Sequence, residues 1–240
     1  DAMLVTTSPA VADYARRTSD AEASTGLAGD AVALRLMSAG VKRLEAREHL
    51  FCEGDPAAHV YRIDAGYVCI YKMMPDGRRQ VVDFGYPGDL IGLGAGAEHS
   101  TSAHALGVCR VRAVPSAALH QMARQDAKLA LSLYDTLAHE LEAARGLLLS
   151  CCQHSAVERL ASFLVMLSRR NARKGQDAAT LFLPMTRSDI GDYLGLTIET
   201  VSRTFTKMRA MGLIELQQCT TVRLTDRRAI ERLAEGGAEN

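Results

Sequence analysis

From Ser116 to Arg145 the chain runs 30 residues without a glycine or a proline. Leu133, Leu137, Leu141, Ala144 and Leu148 recur along it at spacings of 4, 4, 3 and 4, one stripe of a helix. A helix this long buries such a stripe most simply against a second copy of itself, as in a two-chain coiled coil. Residues 116–150 are therefore predicted to be a dimerisation helix. Packing of the stripe on its own chain is the plainer alternative. The run divides the sequence in two, because the texture on either side of it differs.

Before the run, from Val41 to Val114, short extended segments are broken by glycines. The segment HVYRIDAGYVCIYKM sets Val60, Arg62 and Asp64 against Tyr61 and Ile63, then turns at Ala65-Gly66. A PDG turn separates YVCIYKM from RRQVVDFGY, and GVCRVRAV alternates again. Many short strands with frequent turns predict a β-sandwich or jelly roll over 31–115. Residues 1–30, rich in Ala, Ser, Thr and Asp, are expected to be a flexible segment with at most a helical turn near 10–17.

After the run, Ser155 to Arg170 reads as an amphipathic helix, NARKGQDAA as a polar loop and TLFLPM as a short strand. Two helices follow, Thr186 to Tyr193 and Thr197 to Met211, joined at Leu194-Gly195-Leu196. GLIELQQCTTVRLTD reads as a hairpin, with a short helix from Arg227. Residues 151–240 are thus predicted to be a winged helix-turn-helix, and the whole chain α+β. Charge agrees with that division. The chain is neutral overall, but residues 151–240 hold 13 Lys/Arg against 10 Asp/Glu, as contact with nucleic acid favours. No stretch approaches the length of a membrane span, and no signal pattern opens the chain, so a cytoplasmic protein without a membrane partner is expected.

The second helix of the pair carries the chemistry. Thr186, with Asp189 three residues on, can cap the first helix, and Thr197 the second. Ile190, Leu194 and Leu196 serve as apolar pins between them. Ile198, Val201 and Phe205 are expected to face inward, and Glu199, Thr200, Ser202, Arg203 and Thr206 outward. Glu199 and Arg203 are at i and i+4, so they share a face. A carboxylate is repelled by phosphates, but it can accept from cytosine N4, while arginine grips guanine O6 and N7. The acid costs non-specific affinity and adds discrimination, a trade that suits a sequence-specific regulator.

With these residues the chain resembles the cyclic-AMP receptor/FNR superfamily of bacterial transcription regulators, most closely its FixK-like branch, over roughly 35–235. The E-x-x-S-R pattern, here Glu199, Ser202 and Arg203, is similar to the FNR/FixK subclass. It implies a homodimer that reads double-stranded DNA at a palindrome with TTG and CAA ends. By the same resemblance Thr186, Arg187, Ser188, Thr197 and Thr200 are expected at phosphates, the 31–115 unit is a sensor-like barrel of cyclic-nucleotide-binding type, and Ser168 to Thr180 matches a loop that touches RNA polymerase. The sequence departs from its relatives in two places. The segment PGDLIGLGAGAEHSTSAHALGVC keeps Gly88 and an acid, Asp89, yet no Lys or Arg lies between Arg79 and Arg110. A buried phosphate without a cation is costly, and His99 is mostly neutral at pH 7. The iron–sulfur cage of the FNR type needs clustered N-terminal cysteines, and none precedes Cys52.

Cys52, Cys69, Cys109, Cys151, Cys152 and Cys219 form no CxxC pair and show no zinc-finger spacing. Cys219, in the wing, is the candidate for a redox response. His99 and His104 lack the H-x-H spacing of a cupin metal site. The reading is a homodimeric transcription regulator, expected to be an activator, not an enzyme, with no cofactor. An effector- or redox-gated sensor of the same architecture is the first alternative, a cupin-type metalloenzyme the remote one.

Overall fold

The computed structural model of the chain describes residues 40–94, 96–218 and 220–236. The expected flexible segment 1–30, its turn near 10–17 and Cys219 lie outside them.

Eight strands build the first unit: β1 (Val41–Leu44), β2 (His49–Phe51), β3 (His59–Ala65), β4 (Val68–Met73), β5 (Arg79–Gly85), β6 (Leu90–Ile91), β7 (Ser102–Ala105) and β8 (Cys109–Pro115). They form two antiparallel sheets, ordered β1-β8-β3-β6 and β2-β7-β4-β5. Leu44, Phe51, Ile63, Val68, Ile91 and Val111 fill the space between the sheets. The alternation in β3 has a reason that its sequence conceals, since Val60 and Ile63 are both buried. Ile63 enters the barrel, while Val60 joins Leu90, Val114, Leu119 and Leu129 under the helices outside it. Gly66 turns β3 into β4 at φ 86, where a Cβ would stand 2.5 Å from the Val108 carbonyl oxygen. The PDG turn is present too: Met74 N–H donates to the Arg78 carbonyl at 2.8 Å, and Gly77 takes a positive φ.

The expected single helix is two. α1 (Ser116–Gln125) and α2 (Ala127–Gln153) meet at Asp126, which sits at φ −130 and ψ 101. Its carboxylate accepts from the N–H of Lys128 at 3.0 Å and of Leu129 at 3.3 Å. A short acid that can serve the first turn of a new helix competes with continuing the old one. The periodicity carries no sign of the break, because Asp126 lies off the stripe. α2 has 27 residues, a rod of about 40 Å.

α3 (Ala156–Arg173) starts at a capping box between Ser155 and Glu158 and extends through Arg173, so the polar loop is shorter than NARKGQDAA suggests. β9 (Thr180–Phe182) pairs with β11 (Thr221–Leu224), which pairs with β10 (Ile214–Gln217). α4 (Arg187–Leu194), α5 (Ile198–Ala210) and α6 (Arg227–Ala234) complete this second unit. One apolar cluster joins the two units: Cys69, Val81, Phe84 and Tyr86 from the barrel pack with Phe163, Leu164, Tyr193 and Leu194. No helix of the described residues is long and apolar enough to cross a membrane.

Candidate nucleic-acid interface

The helix pair is assembled from local hydrogen bonds. Thr186 caps α4: its hydroxyl accepts from Asp189 N–H at 3.1 Å, and its own N–H and hydroxyl donate to Asp189 Oδ2 at 2.9 and 2.7 Å. Gly195 ends α4 in the left-handed region at φ 66. Leu196 N–H then donates to the Gly191 carbonyl at 2.9 Å. Thr197 caps α5, accepting from Thr200 N–H at 3.2 Å. Gly191 is a further requirement, one that no spacing in the sequence announces. A Cβ there would meet the Leu196 carbonyl oxygen at 2.6 Å, so the turn closes only because the residue beneath it has no side chain. Gly191→Val is expected to destabilise the protein by about 1–3 kcal/mol, read as a lower melting temperature together with loss of DNA binding.

Val201, Thr204, Phe205 and Met208 form the buried face of α5. Glu199, Ser202, Arg203 and Thr206 are exposed, as expected. Ile198 is a correction, because it is 47% exposed at the start of the helix rather than facing inward. Arg203, Lys207 and Arg209 add cations to the outer surface of the same helix. Of the five residues expected at phosphates, Thr186, Ser188 and Thr197 are exposed. Thr200 is half-buried, with its hydroxyl 3.0 Å from that of Thr197. Arg187 is half-buried as well, its guanidinium 3.4 Å above the Phe205 ring, a cation–π contact across the joint between α4 and α5.

α4 is also tied to the barrel. Arg79 on β5 reaches Asp189 Oδ1 at 2.6 Å and Asp192 Oδ2 at 2.6 and 2.9 Å. The neighbouring Gln80 amide donates to the Asp192 carbonyl at 2.5 Å. Burial pushes the Asp189 carboxyl up, but the hydrogen bonds from Thr186 and Arg79 outweigh it and hold the group below the usual range. A carboxyl lowered in the folded state contributes stability above its unfolded value and loses it as pH falls through the folded one. The stability of this joint should therefore decline below about pH 3.9.

The Gly88-Asp89 segment makes a different contact from the one its relatives suggest. Asp89 pairs with Arg170 of α3 and lies 3.7 Å from the ammonium of Lys174, which donates to the Pro87 carbonyl. Arg170 also lies over the Tyr86 ring at 4.1 Å. His99 is buried, with its ring stacked 3.8 Å from that of Phe51, and burial lowers its pKa, so it offers no charge to a phosphate. Among the described residues, no group of three or more His, Cys, Asp or Glu is placed to hold a metal. Cys69 and Cys109 are buried and Cys52 and Cys152 exposed; burial pushes both buried thiols up to about 12.

On α2 the expected stripe divides. Leu133 is partly buried against the Val60, Leu90 and Val114 cluster of its own barrel. Its neighbour Tyr134, 68% exposed, continues the spacing to Leu137, Leu141, Ala144 and Leu148, all exposed.

Two family descriptions match: a cyclic nucleotide-binding domain at residues 41–126 and a Crp-like helix-turn-helix domain at 158–233. The chain is 40% identical over 185 residues to the nitrogen fixation regulation protein FixK of Azorhizobium caulinodans, covering 77% of this chain and 75% of that protein. It is 38% identical over 195 residues to the transcriptional activatory protein AadR of Rhodopseudomonas palustris, covering 80% of each. Among solved structures, FixK2 from Bradyrhizobium japonicum matches with a TM-score of 0.76 at 36% identity, covering 82% of this chain and 98% of that one.

Proposed function

The chain belongs to the CRP/FNR family of helix-turn-helix DNA-binding transcription regulators, with FixK and AadR as similar members, and from that premise we propose that it acts as a homodimer on a TTG…CAA palindrome without a cyclic nucleotide or an iron–sulfur cluster. The observation that carries the reading is the outward face of α5, where Glu199, Ser202 and Arg203 stand exposed above a buried Val201, Phe205 and Met208. That face is rigid, capped and one helix wide, as the major groove admits. Thr186, Ser188 and Thr197 lie beside it as neutral phosphate donors. Arg187 and Thr200 complete that set, Arg187 by supporting the joint from the Phe205 ring. The dimer seam is Tyr134, Leu137, Leu141, Ala144 and Leu148.

Activation is the favoured direction, in line with the name of AadR. Contact with RNA polymerase then falls to the exposed Arg169 and Arg173 at the end of α3 and to the turn that follows. The protein acts in the cytoplasm. A redox response at Cys219, which follows β10 in the sequence, is the alternative reading.

Independence from cyclic nucleotide rests on Asp89. Its charge is already matched by Arg170 and Lys174, both from outside the barrel. An effector shifts an equilibrium only by its differential contacts with the two states, and the segment from Gln80 to Cys109 offers cyclic AMP no lysine or arginine to supply them. The purified protein is expected to bind its palindrome in low salt with no added ligand, with no change on millimolar cyclic AMP and a steep loss as salt rises. A gel-shift titration checks this. A gain of about tenfold or more with cyclic AMP, some 1.4 kcal/mol, would contradict it.

A further inference from the structure

We infer that a two-point electrostatic clasp, Arg79 with Asp189 and Asp192 at one end and Asp89 with Arg170 and Lys174 at the other, positions the DNA-reading unit on its own barrel and makes Arg79 a positioning residue for operator binding. The inference rests on the DNA-binding reading above and assigns what sets the geometry of that activity.

The two ends have opposite polarity. At the first, the barrel supplies the cation and α4 the acids. At the second, the barrel supplies the acid, and Arg170 of α3 with Lys174, the cap that follows it, the cations. Two like contacts would fix a distance and leave rotation open. Two contacts of opposite sign also fix direction, because exchanging the ends puts acid on acid and cation on cation. Between them lies an apolar floor in which the Phe84 ring packs 5.4 Å from Tyr193 and 6.3 Å from Phe163. The floor supplies adhesion and is tolerant of small rotations; the charged ends are not.

The pairs are sheltered enough to matter. Arg79, Asp192, Arg170 and Asp89 keep 20–29% of their side-chain exposure, and Asp189 only 7%. A surface pair in full solvent contributes little, whereas removing one partner from a sheltered pair leaves a charge unmatched.

Asp189 links the clasp to the interface. One oxygen receives Arg79 and the other receives Thr186, the cap of α4 and a candidate phosphate contact. Strand β5 is therefore connected through a single carboxylate to the edge of the reading surface. Gln80 adds a bond to the backbone of Asp192, which holds the last turn of α4 as well as its first. Glu199, Ser202 and Arg203 on α5 stay exposed, uncovered by the described residues. Two reading faces engage half-sites one helical turn apart only if each is held at a set angle to the seam, and the clasp sets that angle without a bound effector.

The experiment uses the full chain and the variants Arg79→Met, Asp192→Asn and their combination. Arg79→Met keeps the length of the side chain and removes its charge. Without DNA, amide hydrogen exchange across 79–84 and 187–194 is expected to quicken in Arg79→Met. On the palindrome its affinity is expected to fall about tenfold, with Asp192→Asn adding little to it, as two residues of one network do. The dependence of affinity on salt and the ranking of single-base operator variants should stay as in the parent, because the charge of Arg79 is engaged by Asp189 and Asp192. Unchanged exchange, or an affinity equal to or above that of the parent, overturns the clasp. Failure of the parent itself to prefer the palindrome over scrambled DNA would instead overturn the DNA-binding reading, and the positioning role with it.

Discussion

Leu141→Asp is expected to convert the proposed dimer to monomers and to lower operator affinity by about 100-fold or more, the scale on which linked binding exceeds single binding. Leu141 is 51% exposed on its own chain and sits in the middle of the stripe from Tyr134 to Leu148. In a two-chain seam it faces its own copy, so the substitution sets two carboxylates against each other in an apolar layer. The folded chain itself loses nothing, because no core contact depends on that side chain. Sedimentation should show monomers with an unchanged circular dichroism spectrum. Leu133→Ala provides the contrast. Leu133 packs on the barrel, so its truncation is expected to lower stability by about 1–2 kcal/mol, below the cost of a fully buried leucine, and to leave the dimer intact. Dimers that persist in Leu141→Asp would place the seam elsewhere.

Arg203→Ala is the second large effect, a loss of about 1–3 kcal/mol in specific binding with relaxed preference at the guanine it reads. Glu199→Ala should lose less affinity and more discrimination. The carboxylate opposes the phosphates at every sequence and is compensated only where a cytosine amino group meets it. The two therefore separate in a set of single-base operator variants: Arg203→Ala lowers the best sites most, while Glu199→Ala raises the poor ones. Equal losses at every variant would mean that both residues touch only the backbone of the DNA.

Much of the interface was readable from the chain because it is built over three or four residues. The caps at Thr186 and Thr197, the left-handed Gly195 and the i, i+4 pair of Glu199 and Arg203 are all local, and local geometry follows from residue type and spacing. The same is true of the Ala65-Gly66 and PDG turns. Where a local rule competes with a longer pattern, the longer pattern misleads. Asp126 was passed over within a long helical run, although it caps α2, and Ile198 was counted inward from a periodicity that holds only from Val201 onward. Gly191 left no signal, since what makes its missing side chain necessary is the approach of a carbonyl from the turn.

The sequence by itself determined the order of sheet, long helix and helix pair, the exposed positions Glu199, Ser202 and Arg203 on α5, and the absence of a lysine or arginine between Arg79 and Arg110. Only the tertiary structure decided which leucine of the stripe faces inward, what Asp89 does with its charge, and that Arg79 grips α4. Leu133 and Tyr134 are neighbours in the chain, and only the position of the barrel tells them apart. The partners of Arg79 lie 110 and 113 residues away, and those of Asp89 lie across the same boundary, in α3 and at its C-cap. No spacing rule reaches that far, because such contacts are set by how two finished units meet, with Phe84, Phe163 and Tyr193 packed between them.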